Sequence, residues 1–562
     1  MTNSVPPGLI LLAAGLSLPF IKNRYLRSTV VLAAPVVALA AILTTPEGPV
    51  LTLEYLGYEI MPLQRNNLSL VFASVFAVMA FAGGLFALNQ PRVMELASAF
   101  VYAGSAICVT MAGDIVTVFI FWEIMAIGSI FVIWSSTEPN ARKSAMRYAQ
   151  IHLLGGVLLM VGVIGHVAAA GTATFGSIAL ESVWAWLILA GFLINAGAPP
   201  LAAWLPDAYP EASWSGTVFL SAFTTKTAVY TLIVAFAGAD ILIHVGLYMA
   251  CYGIVYALLE NDMRRILAYS IVNQVGFMVA AVGIGTEMAI NGAAAHAFTH
   301  IIYKALLLMS AGSVLYMTGA RKCSDLGGLY RTMPVTAICG IVGALAISSF
   351  PLTSGFVSKG MTMKAAADEG LMFAWLMLTA ASAGVFLHAG IKFPWFVFFQ
   401  KDSGMRPEDP PRNMKWAMML LAFLCVAIGV YPDPLYAILP YPVAYAPYTT
   451  AHVVHYLQLL LFGGLAFFVA LPLMKRTSTI SLDFDWFWRK GGRDLATVAV
   501  AHLFEMLDRM KAGLKDAAHQ ATGWTATRLG SEDKLAVAEK SGSMAARAIG
   551  FLGFYLALYF FL

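Results

Sequence analysis

Long apolar stretches recur along almost the whole chain, and short polar segments separate them. A helix needs about 20 mostly apolar residues to cross the hydrocarbon core of a bilayer. Because a membrane barrel would instead show short alternating strands, the pattern predicts an all-α membrane protein with about 14–16 transmembrane helices. The apolar stretches are 7–21, 28–44, 68–88, 93–111, 113–134, 148–170, 183–204, 213–237, 242–260, 266–285, 289–316, 334–351, 371–399, 416–431, 451–473 and 545–562.

Lysine and arginine cluster in every second connection between the predicted spans. By the positive-inside rule these connections are cytoplasmic, which places the N-terminus outside. No basic segment or cleavage signal accompanies the first apolar stretch, so we expect it to remain as a span. The clusters are Lys22/Arg24/Arg27, Arg92, Arg142/Lys143/Arg147, Arg264/Arg265, Arg321/Lys322/Arg331, Lys401/Arg406/Arg412/Lys415 and Lys475/Arg476.

The composition of the chain excludes several functional classes. Of 562 residues 60% are hydrophobic and 11% are charged, whereas soluble domains carry about 25% charged residues. The net charge of +4 is small and dispersed, which excludes nucleic acid as a partner. The five cysteines lie far apart without metal-ligand spacing, and no phosphate loop or nucleophile elbow is present. We therefore expect no catalytic residue, no metal and no cofactor, and at most a translocase component of a redox complex.

The predicted spans group into segments of different character. We expect N-terminal helices over 1–112, an ion-translocating core with two inverted repeats over 113–400, and further helices over 401–480. Residues 481–544 become charged and amphipathic, which favours an interfacial helical segment, with a disordered linker as the alternative. A terminal transmembrane helix is expected over 545–562.

Ionisable side chains occur inside several predicted spans. Glu123 and Lys226 lie near the middle of their apolar stretches. Placing such a charge at bilayer depth costs about 2.5–3.5 kcal/mol on insertion scales, so each is a candidate functional residue. The alternative for Lys226 is a side chain that reaches the membrane surface.

One predicted helix carries His296, His300 and Lys304 four residues apart, on one face. A single membrane histidine is often an interhelical hydrogen-bonding group, but three titratable groups in a row favour a proton wire. His388 and Lys392 repeat the spacing. There Pro394 could end the helix, so Lys392 could instead mark the cytoplasmic end.

Two predicted helices are interrupted at membrane depth, at Pro199 and Pro200 and at Pro351 and Gly355. Interrupted helices in corresponding parts of two halves are typical of transporters built from repeats, with the ion path near the breaks. An ordinary kinked helix is the alternative for each break.

Several of these segments together resemble the antiporter-like family of membrane subunits, in order between residues 70 and 400. That family includes the A and D subunits of Mrp sodium/proton antiporters, the three large proton-pumping subunits of complex I and membrane subunits of energy-converting hydrogenases. The motifs WLPDAYPE and FLSAFTTKTAVY look most like those of the D subunits of Mrp antiporters. The full set is FWEIMAIGS, WLPDAYPE at 204–211, TTKTAVY, NDMRRILAYSIVNQVGFM, HAFTHIIYKALLLMSAG, LGGL at 326–329 and GFVSK at 355–359.

The resemblance implies a role for each of these residues by position. It implies that Glu123 is the family's buried glutamate, Lys226 and Lys304 its axial lysines, and Lys392 its terminal residue. His296 and His300 fall where the family often has histidines, and the breaks fit inverted repeats. In one departure, Asn195 stands nine residues before Trp204, where the family usually has a lysine that pairs with the glutamate. This leaves room for altered ion choice or for a subunit that only conducts.

The sequence thus predicts a proton-translocating or sodium/proton-translocating subunit of a multi-subunit cation/proton antiporter in the bacterial inner membrane. The alternative is a proton-channel or energy-coupling membrane subunit of a complex I-like, hydrogenase-like or carbon-uptake assembly. In both cases the expected partners are other membrane subunits, the lipid bilayer, and protons with or without sodium.

Overall fold

In the computed structural model, residues 5–472 and 483–513 are described, except 493, 496, 499 and 503. Helices dominate, which confirms the predicted all-α membrane class. Within the described part, 12 helices are long and apolar enough to cross a membrane, and three shorter apolar helices cover Gly8–Phe20, Val183–Ala196 and Pro334–Ile347. The protein is therefore a multi-pass membrane protein. The predicted span over 545–562 lies outside the described residues.

The elements follow in simple order along the chain. They are α1 (Gly8–Ser17), α2 (Arg24–Thr44), β1 (Gly48–Tyr55), β2 (Tyr58–Arg65), α3 (Asn67–Phe86), α4 (Val93–Thr110), α5 (Ile115–Trp134), α6 (Ala141–Ala170), α7 (Val183–Ala196), α8 (Trp204–Ala208), α9 (Gly216–Leu220), α10 (Thr224–Phe236), α11 (Ile241–Leu259), α12 (Met263–Ile284), α13 (Glu287–Thr318), α14 (Pro334–Ile347), α15 (Ser354–Asp368), α16 (Met372–Val385), α17 (Arg412–Val430), α18 (Asp433–Tyr436) and α19 (Thr450–Ala470).

The short strands β1 and β2 form an antiparallel hairpin between α2 and α3, which the sequence analysis did not anticipate. Leu56 and Gly57 connect them, and both have positive φ angles, of 51° and 78°. Two such residues give the turn whose twist matches that of paired strands. The hairpin also contacts the start of α5, because Met61 N–H donates to the Asp114 carboxylate over 2.9 Å.

Polar residues at the helix starts explain where several spans begin. Asn66 and Ser69 form a reciprocal capping box at α3. Asp114 accepts from Thr117 N–H at α5, and Asp262 accepts from Arg264 N–H at α12. These side chains accept hydrogen bonds from backbone N–H groups that have no partner within the helix. They therefore define where each helix begins, which the apolar composition alone does not.

The helices differ in the fraction of their surface that is buried by the rest of the protein. α12 is almost wholly buried, and α10 and α13 are mostly buried, whereas α2, α6 and α19 leave most of their apolar surface exposed. An apolar helix exposed along its length is suited to contact with lipid or another subunit. The enclosed helices α10, α12 and α13 carry polar and ionisable side chains, so the polar groups lie in the protein interior.

Both predicted helix breaks are present. α7 ends at Ala196 and α8 begins at Trp204, with Pro199 and Pro200 between them. α14 ends at Ile347 and α15 begins at Ser354, with Pro351 between them. Proline removes a backbone donor and clashes with the preceding turn, which explains both interruptions.

A third break separates α9 from α10 at residues 221–223, where the sequence predicted one continuous span over 213–237. Lys226 consequently lies in the first turn of α10 and not in the middle of a helix. No proline or glycine marks this break, so the local sequence gave no signal for it.

Contacts divide the chain into two units, Met1–Asp485 and Trp486–Leu562. In the second unit the described part contains a π-helical turn at Phe487–Gly492 and further helix up to residue 513, with mostly exposed side chains. The predicted interfacial segment 481–544 is described only in part, and the boundaries at 112, 400 and 480 stay predictions.

Candidate functional site: a buried row of ionisable groups

Lys226 lies where the break before α10 leaves main-chain oxygens without helical partners. Its side chain is fully buried, and its Nζ donates to Ser221 O over 2.7 Å and to Thr225 Oγ1 over 3.1 Å. A buried ammonium is costly unless such acceptors surround it. The break therefore creates a polar position inside an otherwise apolar bundle.

The predicted row on α13 is fully buried and only partly hydrogen-bonded. His296 Nδ1 lies 3.3 Å from Ser358 Oγ on α15, and its Nε2 lies 3.5 Å from the hydroxyl of Tyr303. Among the described residues, neither ring nitrogen of His300 nor the Nζ of Lys304 has a hydrogen-bond partner. The ring centroids of the two histidines are 6.1 Å apart.

Two further lysines, on the neighbouring helices α10 and α15, lie close enough to interact electrostatically with this row. Lys226 lies close enough to act on both His300 and Lys304, and Lys359 of α15 lies close enough to act on His296. Charges in a poorly solvated interior interact strongly, so a proton gained by one group changes the affinity of the next.

Lys359 is an ionisable residue of this row that the sequence analysis quoted only as part of a motif. It is fully buried, its Nζ donates to Ile347 O over 3.0 Å, and the same atom lies 5.0 Å from the ring centroid of Phe277. Its position inside an apolar segment, eight residues after Pro351 at a predicted helix break, could have singled it out.

His388 and Lys392 lie beyond α16, on helical turns that continue through Pro394 as π-helix at Phe386–Lys392 and Trp395–Phe399. Pro394 therefore does not end the helix. His388 Nδ1 lies 2.8 Å from Gly384 O, and its Nε2 has no partner among the described residues.

The ammonium of Lys392 caps another helix. It donates to the main-chain oxygens of Ala257, Leu258 and Glu260 over 3.2, 2.6 and 2.6 Å, at the C-terminal end of α11. A cation stabilises that end of a helix, where backbone acceptors are free. This contact gives Lys392 a structural role at the end of α11, different from the expected end of its own helix, and its role as terminal relay stays a prediction.

Glu123 makes no hydrogen bond or ion pair with the described residues of this row. It is half-buried on α5, and no described lysine forms a hydrogen bond or ion pair with it. Its Oε1 atom is buried without a partner. Asn195, at the end of α7, is buried and its Oδ1 is also unpartnered.

A network of ion pairs, missed by the sequence analysis, ties together the connections at one end of the bundle. Arg321 contacts Glu138 over 3.5 Å, Glu211 over 2.7 Å and Asp262 over 2.9 Å. Arg264 is buried and donates to main-chain oxygens of the segment around Pro210. These contacts hold the connection after α8 against the start of α12. The sequence pattern could not indicate these ion pairs, because their partners lie up to 183 positions apart.

The described residues contain no group of three or more His, Cys, Asp or Glu side chains that could hold a metal ion. What they do contain is a series of buried nitrogen bases and ammonium groups on α10, α13 and α15. Such groups can bind and release protons, and they occur at bilayer depth mainly where an ion or proton passes.

Comparisons with known proteins agree with this class of membrane protein. Residues 112–385 match the family described as NADH:quinone oxidoreductase/Mrp antiporter, TM. An uncharacterised protein of Mycobacterium tuberculosis is 33% identical over 289 residues, 47% of this chain and 45% of that protein. The D subunit of the Na(+)/H(+) antiporter of Alkalihalophilus pseudofirmus is 29% identical over 348 residues, 58% of this chain and 70% of the relative.

A solved structure has the same fold. A chain of the membrane-bound sulfane sulfur reductase (MBS), an archaeal respiratory membrane complex, superimposes with a TM-score of 0.72 at 22% identity. The match covers 98% of this chain and 100% of that one. The predicted resemblance is confirmed: residues 112–385 match the antiporter-like family of membrane subunits. It spans less than half the length of the Mycobacterium relative.

Proposed function

We propose that this chain translocates protons as one membrane subunit of a multi-subunit cation/proton antiporter. One observation carries the proposal: Lys226, His300 and Lys304 are fully buried, and the nitrogens of the last two have no partner among the described residues. Structural lysines and histidines are normally satisfied by hydrogen bonds. Groups that stay ionisable and unsatisfied in an apolar interior are suited to gaining and losing a proton.

The proposed path runs along the buried row. Protons step from Lys226 to the His300 and Lys304 pair on α13, then past His296 to Lys359. Each step changes the charge next to the following group, so the protons move by coupled titration. Glu123 supplies the first half of the path, and His388 and Lys392 are a side branch next to Lys304.

The exchanged cation and the partners follow from the relatives. The relative from Alkalihalophilus is named as the D subunit of a Na(+)/H(+) antiporter, which supports sodium as the exchanged cation and other membrane subunits as partners. The distribution of lysine and arginine supports an orientation with the N-terminus outside, in the inner membrane of a bacterium.

A second candidate is an energy-coupling subunit of a respiratory or other redox complex, or of a carbon-uptake assembly, which conducts protons only while its partner works. Two observations favour a redox partner. The matching family description covers quinone oxidoreductases as well as antiporters, and the chain of the archaeal respiratory complex shares the fold over its full length. Identification of co-purified subunits separates the candidates: small antiporter-type membrane subunits favour the first, and redox proteins the second.

Exchange measurements in everted membrane vesicles test the proposed path. Lys226→Ala and Glu123→Ala should each abolish cation-driven proton exchange while the complex still assembles. Lys364→Ala is the matched control, because that lysine is exposed and pairs with Asp368 on the same helix as Lys359. Wild-type exchange in both variants, at normal levels of assembled complex, would contradict the proposal.

A further inference from the structure

Three polar side chains from α5, α6 and α7 lie in one part of the bundle, and each has buried atoms without a hydrogen-bond partner. The atoms are Glu123 Oε1, both ring nitrogens of His152 and Asn195 Oδ1. His152 is 3% exposed and Asn195 is 1% exposed. A buried polar group without a hydrogen bond destabilises the fold, so three in one place require an explanation.

The face of α6 that carries His152 provides the space for the other two side chains. Gly155 and Gly156 follow His152 by three and four positions, which places them on the same face of the helix. A Cβ atom on Gly156 would overlap Glu123 Oε1, and one on Gly155 would lie 3.7 Å from Asn195 Oδ1. Gly156 therefore admits the carboxyl group on the face of α6 that carries the imidazole, and Asn195 lies next to the His152 ring.

Aromatic rings enclose the other sides of the imidazole. The ring of His152 lies 4.0 Å from that of Tyr148 and 4.7 Å from that of Trp204, centroid to centroid. The indole Nε1 of Trp204 already donates to Ile194 O over 3.0 Å, so it offers nothing to the histidine. The polar atoms placed beside these rings are the two unpartnered oxygens of Glu123 and Asn195 and the hydroxyl of Tyr148.

Glu123 is the carboxyl group that remains available to His152. The elements packed against α6 are α5, α7 and α8. On α8, Asp207 is bound by Arg147 over 2.8 Å, and α7 carries no charged side chain. At the ends of α5, Asp114 caps the helix and Glu138 pairs with Arg321.

Hydroxyl groups continue from the imidazole towards Lys226. Tyr148, whose ring is tilted against that of His152, donates its hydroxyl hydrogen to Ser129 Oγ over 3.0 Å, and the same hydroxyl lies within interaction range of that of Thr224. Thr224 Oγ1 also lies 2.6 Å from the hydroxyl of Tyr102. The next residue in the chain, Thr225, accepts a hydrogen bond from Lys226. Hydroxyls both donate and accept, so Tyr148 and Thr224 can pass a proton to the first turn of α10, which also carries Lys226.

We propose that His152 accepts a proton from Glu123 and passes it through the hydroxyls of Tyr148 and Thr224 towards Lys226. In the first step the O–H bond of the Glu123 carboxyl breaks and an N–H bond forms on the imidazole. This leaves a carboxylate and an imidazolium, so charge and protons balance. Asn195 Oδ1 accepts from the imidazolium and stabilises it. The inference deepens the proposed function and rests on it.

The test replaces His152 by glutamine in the full complex and measures proton exchange per amount of assembled complex. His152→Gln should reduce the rate at least about tenfold, and the remaining rate should lose the pH dependence that the imidazole contributes. His166→Gln is the matched control, because that histidine lies on the same helix and is only half-buried. It should leave rate and pH profile unchanged.

A second substitution separates proton transfer from packing. Asn195→Lys in the His152→Gln background places an ammonium beside Glu123 and should restore exchange, because an ionisable partner is present again. Wild-type exchange in His152→Gln, or a loss that the added lysine does not restore, overturns the relay and assigns His152 to packing alone.

Infrared spectroscopy of the purified complex gives a readout that does not depend on transport. The C=O band of the protonated Glu123 carboxyl, identified by its loss in Glu123→Gln, should shift in His152→Gln and stay in place in His166→Gln. An unchanged band overturns the inference. If Glu123→Ala abolishes exchange but His152→Gln does not, only the relay fails, whereas wild-type exchange in Glu123→Ala and Lys226→Ala overturns the proposed function itself.

Discussion

The ammonium of Lys359 donates a hydrogen bond of 3.0 Å to the main-chain oxygen of Ile347, the last residue of α14. The bond crosses the break that separates α14 from α15. Lys226 makes the equivalent contact at another break, with the oxygen of Ser221 over 2.7 Å. In both cases an interrupted helix supplies an acceptor that a regular helix would have used internally. The two lysines are therefore placed by the breaks, and both lie close enough to act on the histidines of α13.

Replacing Lys359 should interrupt transport beyond α13. We expect Lys359→Ala to lower proton exchange at least about tenfold, equivalent to about 1.4 kcal/mol in the barrier, because it removes a charge that acts on His296. Exchange in everted vesicles measures the effect. Lys364→Ala, five positions on and exposed, is the control, and equal exchange in the two variants would contradict a role for Lys359.

His300 should be needed for transport because it stands between Lys226 and His296 without a hydrogen bond of its own among the described residues. His300→Gln keeps the polarity and approximate size of the side chain but cannot take up a proton. The expected loss of exchange is about tenfold or more. His244→Gln on α11 is the control, since His244 is exposed. Proton exchange in His300→Gln as fast as in His244→Gln would rule out a proton wire through His300.

Gly156 should be essential because the carboxyl group of Glu123 occupies the space where its side chain would be. Gly156→Ala is expected to displace Glu123 and to lower exchange, with the complex still assembled. Gly176→Ala should have no effect, because a methyl group there meets no atom within 4 Å. Normal exchange in Gly156→Ala would show that the position of Glu123 is not critical.

Arg321 should contribute to stability through its three carboxylate partners. Arg321→Ala leaves Glu211 and Asp262 close together without their cation, and we expect the free energy of unfolding to fall by about 1–3 kcal/mol. Thermal unfolding of the detergent-solubilised protein measures this. Arg331→Ala removes an exposed partner of Asp402 and should change the midpoint much less. Similar midpoints for both variants would argue against the network.

The sequence predicted which ionisable residues lie inside the spans better than it predicted which residues they contact. Apolar runs located most spans, and the spacing of His296, His300 and Lys304 predicted one helical face, because the periodicity of a helix is a local property. The third break, at residues 221–223, and the contact of Lys359 with Ile347 were missed. Both depend on how separate helices pack, which no local pattern records.

Residue types alone predict that the chain crosses a membrane and carries charges within its spans, since hydropathy and the cost of burying a charge are properties of each side chain. The tertiary structure decided which of these charges lie close to one another. It placed Lys392 on the end of α11, added Lys359 to the row and brought His152 beside Asn195. Distances between side chains on different helices follow from packing, so only the folded chain defines them.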